Sequence, residues 1–265
     1  MKLLAATCAA VMLVVTAAAA GHAGVVVHER EIVNRGKGQP VTHERTVMIE
    51  GNKQKMITGK EIVVTDLDNG MMYMFNPSAK TYIALPFPPR GRMAAMMAGA
   101  GPSTLNFKKT GGRQTVAGYS CDNYAGDGNM MGNKYSVNGC FSTKAPGASD
   151  FTAFQKRMQE KVKGTPMEMS GNVPDGVPLK LDSTTRLTHV SVPGMSADQA
   201  AKLNQMLANR PPVVTDTTVT KIARANLTPD TFAVPAGYTK QEFRMPHQGA
   251  GANNTPPAGA NKVPE

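Results

Sequence analysis

The chain has 265 residues, a formal net charge of +10 at pH 7, no tryptophan and only 5% aromatic residues, whereas methionine is abundant at 18. Beyond the N-terminal region, no segment has enough consecutive apolar residues to cross a bilayer as a helix, which excludes a polytopic helical membrane protein. Residues 24–163 carry 19 basic against 11 acidic side chains, and residues 164–265 carry 9 against 8. The basic character therefore belongs to the N-terminal part of the chain.

Residues 1–23 have the composition of a secretory signal peptide. Lys2 gives a basic start, residues 3–15 are an almost continuous apolar run, and small residues follow up to Ala23. The apolar run is too short for a permanent membrane span. We expect cleavage after Ala20 or Ala23 and a periplasmic location. There, the basic charge either serves solubility or binds anionic lipid head groups, lipopolysaccharide or acidic proteins, rather than nucleic acid.

Two cysteines remain after this cleavage, because Cys8 lies within the signal peptide. Cys121 and Cys140 form an even pair in an oxidising compartment, which favours a structural disulfide. A redox pair usually has C-x-x-C spacing, and no His or Cys lies close enough in sequence to complete a zinc site. Closing this loop is expected to stabilise the fold by about 3 kcal/mol.

The rest of the chain is predicted to be one β-rich domain, residues 24–245, followed by a disordered tail, residues 246–265, rich in Gly, Ala, Asn and Pro. The predicted strands are 25–33, 41–49, 53–59, 61–66, 71–76, 81–85, 105–109, 114–116, 119–125, 135–142, 179–192 and 213–225. The predicted helices are 92–98, 150–162 and 196–209, the last of which begins with a capping-box sequence.

Methionines near the middle of the chain suggest a binding pocket. Alternation in strand 71–76 places Met72 and Met74 on one face and aromatic residues on the other. Both faces are apolar, so we expect this strand to be covered on both sides. Helix 92–98 is followed by Gly and Pro, which indicates a mobile flap. Methionine is flexible and over-used at promiscuous binding surfaces, although it also fills ordinary cores. The predicted pocket residues are Met72, Met74, Met93, Met96 and Met97.

Three segments resemble a known family: YMFNP at 73–77 with KTY at 80–82, VAGYSCDNY at 116–124, and LTPDTFAVPAGY at 227–238. They are similar to an exported bacterial family of domains of unknown function (DUF4412-like), related to the lipoprotein-carrier (LolA/LolB-like) group. The resemblance covers roughly residues 25–243. It implies an α+β fold, with a curved antiparallel sheet forming a half-barrel and short helices in or over its concave face. Several members of that group shuttle lipids or lipoproteins or sense envelope stress, and the family brings no catalytic residues.

Catalytic signatures in the chain are incomplete. The sequence GYSCD at 118–122 resembles a nucleophile elbow but lacks its second glycine. His28 and His43 are each followed by Glu, as in a zincin motif, but neither has the second His. We expect both to be solvated surface groups, as cross-strand neighbours without a metal. With no nucleophile, base and orienting group together, we predict a non-catalytic protein without a cofactor.

The sequence therefore predicts a periplasmic binding or chaperone-like protein for a lipid, an acyl chain or an apolar protein segment. Two alternatives remain open. Thioether sulfurs select Cu(I), so methionines in 71–74 or 93–97 would suit a copper(I)-handling envelope protein. The second alternative is a structural or stress-sensing envelope protein in which the protein's own helices fill the concave face of the sheet.

Overall fold

The structure is a computed structural model that describes residues 24–98, 103–188 and 195–243, apart from the side chains of Arg92 and Met96. The expected signal peptide, 1–23, and the expected tail, 246–265, lie outside the described residues. Among the residues described, no helix is both long and apolar enough to span a membrane.

The described chain forms thirteen strands and three α-helices. The first strands are β1 (Gly24–Asn34), β2 (Val41–Glu50), β3 (Lys53–Thr58), β4 (Glu61–Asp66), β5 (Met71–Asn76) and β6 (Thr81–Pro86). The later strands are β7 (Ser103–Val116), β8 (Tyr119–Met130), β9 (Asn133–Ser142), β10 (Met169–Asn172), β11 (Val177–Arg186), β12 (Val213–Ala225) and β13 (Thr239–Gln241). The helices are α1 (Gly91–Ala98), α2 (Ala148–Val162) and α3 (Ala197–Ala208), and Pro229–Thr231 forms a 3-10 turn.

All thirteen strands belong to one open, curved sheet in the order β10-β7-β8-β9-β11-β12-β1-β2-β3-β4-β5-β6-β13. The pairs are antiparallel except for β10 with β7 and β13 with β6. Those two strands have only four and three residues and form the two edges of the sheet. Short edge strands give another chain little backbone to pair with. The expected fold class, an α+β protein with a long curved antiparallel sheet, is confirmed.

The predicted elements agree with the structure except where tertiary pairing decides the outcome. Segments 105–109 and 114–116 belong to one strand, β7, whose pairing with β8 shifts register between Lys109 and Arg113. No pattern in the sequence indicates β10 or β13, because strands of three or four residues form only when a partner edge is already in place. The strand predicted at 179–192 ends at Arg186, and residues 189–194 lie outside the described chain. The capping box of α3 is confirmed, since Ser196 and Gln199 exchange hydrogen bonds.

Helix α2 packs on β1 and β2 and forms the main core. Phe154 is completely buried, in one cluster with Val25 and Val27 of β1 and Ile49 of β2. The helix starts after Gly147, whose φ of +72° is in the left-handed region. A Cβ added at Gly147 would lie 2.4 Å from the Cβ of Val25. Glycine is therefore needed there both for its conformation and for the close approach of the helix to the sheet.

The segment after β12 covers the opposite face of the sheet near β4 and β5. Phe232 is buried there together with Val64 and Phe75. The Nζ atom of Lys55 donates a hydrogen bond to the carbonyl oxygen of Thr231 at 2.9 Å. Burial lowers the pKa of Lys55. This segment is therefore tied to the sheet by both apolar and polar contacts.

Strand β5 is covered unevenly. Phe75 is buried under the C-terminal segment, and on the other face Met72 packs against the main core. Met74, two residues further along that second face, is 43% exposed. The expectation that the strand is covered on both sides is therefore wrong at Met74, because the main core that Met72 contacts does not reach Met74.

The disulfide between Cys121 in β8 and Cys140 in β9 is confirmed. The two Cα atoms lie 5.3 Å apart, and the residues are 2% and 1% exposed. Cys140 is opposite Asn123 in the β8–β9 ladder, so the bond joins two strands that are already paired. Both sulfurs belong to the main core.

An acidic side chain is buried on the face of the sheet that carries α2. Alternation along β1 puts Glu29 on the same face as Val25 and Val27. Glu29 is 5% exposed, and the Nε atom of Arg45, opposite it in β2, donates a hydrogen bond to its Oε2 atom at 2.5 Å. Burial raises the pKa of Glu29 above its ordinary value of 4.5, although the charge of Arg45 acts in the opposite direction.

Replacing both Cys121 and Cys140 by alanine should lower the free energy of unfolding by about 3 kcal/mol, because the unfolded chain loses a covalent constraint. Urea unfolding followed by circular dichroism measures the change. Reduced wild-type protein is the control and should lose a similar amount. Equal stability of the oxidised and reduced wild-type proteins would contradict a structural role for the bond.

Glu29→Gln should become more stable relative to the wild type as the pH rises from about 4 to about 7. The folded-state pKa of Glu29 is raised, so its contribution to stability is fully present below the unfolded pKa and is lost as the pH rises through the folded pKa. Urea unfolding at a series of pH values measures the difference. Glu61→Gln, at an exposed position, is the control. The burial penalty would be contradicted if the difference in stability between Glu29→Gln and the wild type did not vary with pH.

Candidate functional site

A cleft of about 240 Å³ lies where the end of α2 meets the β8–β9 turn and β10. Methionine dominates its lining, and we call it the methionine cleft. Its methionines are Met97, Met130, Met131, Met158, Met167 and Met169. They come from α1, from β8 and the turn that follows it, from α2, from the loop after α2, and from β10.

The lining of the methionine cleft is mostly apolar. Phe87 and Val162 line it and are each only 6% exposed. Ser103 also lines it, but its Oγ atom already accepts a hydrogen bond from the backbone N–H of Met131 at 3.1 Å. Apart from Ser103 and Gln159, a ligand therefore meets thioether and hydrocarbon surface.

The loop after α2 holds one wall of the methionine cleft in place. The hydroxyl of Thr165 donates to the carbonyl of Val162 at 2.6 Å and accepts from the N–H of Met167 at 3.2 Å. The N–H of Gly164 donates to a carboxylate oxygen of Glu168 at 2.7 Å. These short-range bonds fix the position of the Met167 backbone, while its side chain keeps the flexibility of methionine.

The β8–β9 turn places two methionines at the mouth of the methionine cleft. Met131 and Gly132 form a two-residue loop with φ of +51° and +79°. Such loops usually carry Asn, Asp or Gly, because the left-handed region costs other residues about 1–2 kcal/mol. The side-chain carbonyl of Asn133 accepts a hydrogen bond from the N–H of Thr188 at 2.9 Å, which holds the turn. Met130 and Met131 are 38% and 39% exposed.

The structure distributes the five predicted pocket residues over different places. Met97 lines the methionine cleft, and Met93 is half-buried in the same helix. Met72 packs against the main core, whereas Met74 is exposed. The side chain of Met96 lies outside the described part of the chain.

Sequence reasoning missed five of the methionines that the fold brings together. They are Met130, Met131, Met158, Met167 and Met169. They lie on three separate stretches of the chain, so no local periodicity connects them. The one signal in the sequence was the high number of methionines in a protein poor in aromatic residues.

The segment that resembles a nucleophile elbow serves a structural purpose. Cys121 is engaged in the disulfide. Asp122 accepts hydrogen bonds from Lys109 and Arg113, each at 2.8 Å. Hydrogen bonding from Lys109, and then from Arg113, lowers the pKa of Asp122. These residues form a cross-strand ion-pair network between β7 and β8.

The two histidines near the N-terminus do not face each other, so the expectation that they are cross-strand neighbours is wrong. In the β1–β2 ladder His28 is opposite Thr46, and its Nδ1 atom lies 3.1 Å from the Thr46 hydroxyl. His43 is opposite Glu31. Among the described residues, no group of three or more His, Cys, Asp and Glu side chains is arranged to hold a metal ion.

The solved structures that superpose on this chain are distant from it in sequence. PNGF-II has a TM-score of 0.38 and 9% identity over 83% of this chain and 32% of its own, so this chain spans about a third of that protein. MucB, solved in complex with MucA(peri), has a TM-score of 0.36 and 12% identity over 82% of this chain and 56% of its own. A LolA superfamily protein from Nitrosomonas europaea has a TM-score of 0.31 and 7% identity over 80% and 90%. At these scores nothing about function carries over.

No curated protein matches the chain in sequence. The sequence profile of one family, described as "Domain of unknown function (DUF4412)", matches residues 37–192. The match covers more than half of the 265 residues. It includes both cysteines of the disulfide and all six methionines of the cleft. The protein belongs to the DUF4412 family, as the sequence resemblance predicted.

Proposed function

We propose that the protein is a non-catalytic periplasmic binding protein that holds an acyl chain of a lipid or lipoprotein in the methionine cleft. The single observation that carries the proposal is the meeting of six methionines from distant parts of the chain around one apolar cleft. An apolar protein segment, in a chaperone-like role, is the alternative occupant. The buried disulfide supports export, because such bonds persist in oxidising compartments.

The size of the methionine cleft favours a narrow ligand. Its volume of about 240 Å³ is below the roughly 300–1,000 Å³ of pockets that enclose drug-sized molecules. A flexible hydrocarbon chain can enter such a space end-on, and each methylene group that leaves water contributes about 0.8 kcal/mol. Methionine side chains adapt to chains of different length and branching, because they have three rotatable bonds and no rigid ring.

The backbone of Met131 provides independent support. A non-glycine residue in the left-handed region is retained when the surrounding structure or the function requires it. Asparagine would be accommodated there at lower cost, but it would replace an apolar side chain at the mouth of the cleft with a polar one. The strain at Met131 is therefore consistent with selection for an apolar group at that position.

Titration with the neutral fluorescent dye N-phenyl-1-naphthylamine tests the proposal. The wild-type protein should bind the dye and release it when dodecanol is added. The double variant Met130→Asn, Met131→Asn should bind at least about tenfold more weakly, because the mouth of the cleft becomes polar. Met206→Asn is the matched control, since this methionine is 62% exposed on α3 and does not line the cleft. Absence of binding, or equal binding by both variants, would favour a structural or stress-sensing role.

Met131→Asn alone should separate stability from binding. We expect its free energy of unfolding to rise by about 1 kcal/mol, because asparagine tolerates a positive φ, while its affinity for the dye falls. Met130→Asn is the control: it has the same change in chemistry without the strained backbone, and should weaken dye binding without any gain in stability. A Met131→Asn protein that is less stable than the wild type would argue against strain at this position.

Copper(I) handling is a second candidate, because the same six thioether sulfurs are soft ligands of the kind that select Cu(I). Retention of Cu(I) after dialysis by the wild type, and its loss in the Met130→Asn, Met131→Asn variant, would favour this function. Binding of the neutral dye without copper retention would favour the acyl-chain function.

A further inference from the structure

A second cleft, of about 570 Å³, lies at the end of β1 that is remote from α2. Three basic side chains line it, and we call it the cationic cleft. Its volume falls within the roughly 300–1,000 Å³ of typical ligand pockets. Its basic residues are Arg35, Lys37 and Arg210, and its apolar residues are Val33, Leu187, Pro211 and Val213. They come from the end of β1 and the β1–β2 loop, from the region after β11, and from the junction between α3 and β12.

The apolar residues form a continuous floor. Val33 is opposite Thr215 in the β1–β12 ladder, so alternation places Val33 and Val213 on the same face of the sheet. On its other side Val33 is opposite Val41, which is 50% exposed and extends the apolar surface onto β2. The floor can therefore accept a hydrocarbon group, which would cover valine side chains that now contact water.

The basic residues are not neutralised within the described ranges. No ion pair there involves Arg35, Lys37 or Arg210, and the cleft lining contains no acidic side chain. Three positive charges beside one concavity raise the local concentration of anions and offer charge-assisted hydrogen bonds to phosphate or carboxylate oxygens.

The loop that carries two of these cations is held against the cleft by its own backbone. Gly36, between Arg35 and Lys37, has a φ of +73°, and its N–H donates to the side-chain oxygen of Asn34 at 2.8 Å. A Cβ added at Gly36 would lie 2.3 Å from the Cβ of Pro211. Glycine is therefore required for the loop to pack on Pro211 and present its neighbours to the cleft.

We propose that the cationic cleft binds an amphiphile with one anionic group, a phosphate or a carboxylate, attached to an alkyl chain. The anionic group contacts Arg35, Lys37 and Arg210, and the first part of the alkyl chain lies on the floor around Val33. This site is separate from the methionine cleft and goes beyond the proposed function. The ligand comes either from solution as a free amphiphile or from a bilayer as an anionic lipid.

Calorimetric titration with monomeric dodecyl phosphate tests the site. It is carried out in the Met130→Asn, Met131→Asn protein, in which binding at the methionine cleft is weakened. The further triple change Arg35→Ser, Lys37→Ser, Arg210→Ser should weaken binding at least about tenfold, and Gly36→Ala should weaken it without any change in charge. The matched control removes three exposed cations outside the cleft, Lys60→Ser, Arg90→Ser and Lys108→Ser, and should bind as before.

Dodecanol and inorganic phosphate separate the two parts of the proposed ligand. Both should bind far more weakly than dodecyl phosphate, because each lacks one of the two groups that the cleft recognises. The proposal would be overturned if dodecanol or inorganic phosphate bound as tightly as dodecyl phosphate. It would also be overturned if the triple variant and its charge-matched control lost the same amount of affinity. The outcome does not depend on whether the methionine cleft binds a ligand, so the two proposals can fail separately.

Vesicles separate the two sources of the ligand. A ligand within a bilayer is indicated if the protein co-sediments with phosphatidylglycerol vesicles but not with phosphatidylcholine vesicles, and if this co-sedimentation is lost in the triple variant. Binding of dodecyl phosphate without vesicle binding indicates a free amphiphile. Both results support the site, and in both cases added salt should weaken binding.

Discussion

Helix α2 lies against β1 and β2 with Phe154 excluded from solvent, and this packing organises the rest of the molecule. A single open sheet of thirteen strands has two faces to cover, and apolar burial, worth about 25 cal/mol per Å², is the force available for it. Gly147 lets the helix start directly on Val25. The helix then ends at Val162, which belongs both to the core and to the methionine cleft. The cleft is therefore a continuation of the core, at the point where core packing stops.

One face of β1 changes character along its length. Val25 and Val27 are in the core, Glu29 is buried in an ion pair with Arg45, and Val33 lies on the floor of the cationic cleft. Val33 lies eight positions after Val25, which corresponds to roughly 26 Å along an extended strand. The buried ion pair is costly to desolvate, and it stands between two apolar regions. This arrangement keeps the core under α2 distinct from the cationic cleft, so each end of the face can act independently.

The two clefts use different physical means of recognition. The methionine cleft offers adaptable thioether surface from six side chains, two of them on a strained turn. The cationic cleft offers fixed positive charges next to a β-branched floor. A ligand with both a charged head and a hydrocarbon chain matches the cationic cleft, and a purely apolar one matches the methionine cleft.

The sequence alone determined the local features: most strands through period-two alternation, the three helices, the capping box at Ser196, and the disulfide between Cys121 and Cys140. These follow from interactions between residues near each other in the chain or from the redox chemistry of an exported pair of cysteines.

Only the tertiary structure decided which methionines meet. Met97 and Met158 lie more than 50 residues apart and come together because the last part of α2 and the start of β7 border the same cleft. No local period records such an encounter, since it depends on how the sheet curves and where the helix packs. The same holds for β10 and β13, which form as strands because they pair with the edges of β7 and β6.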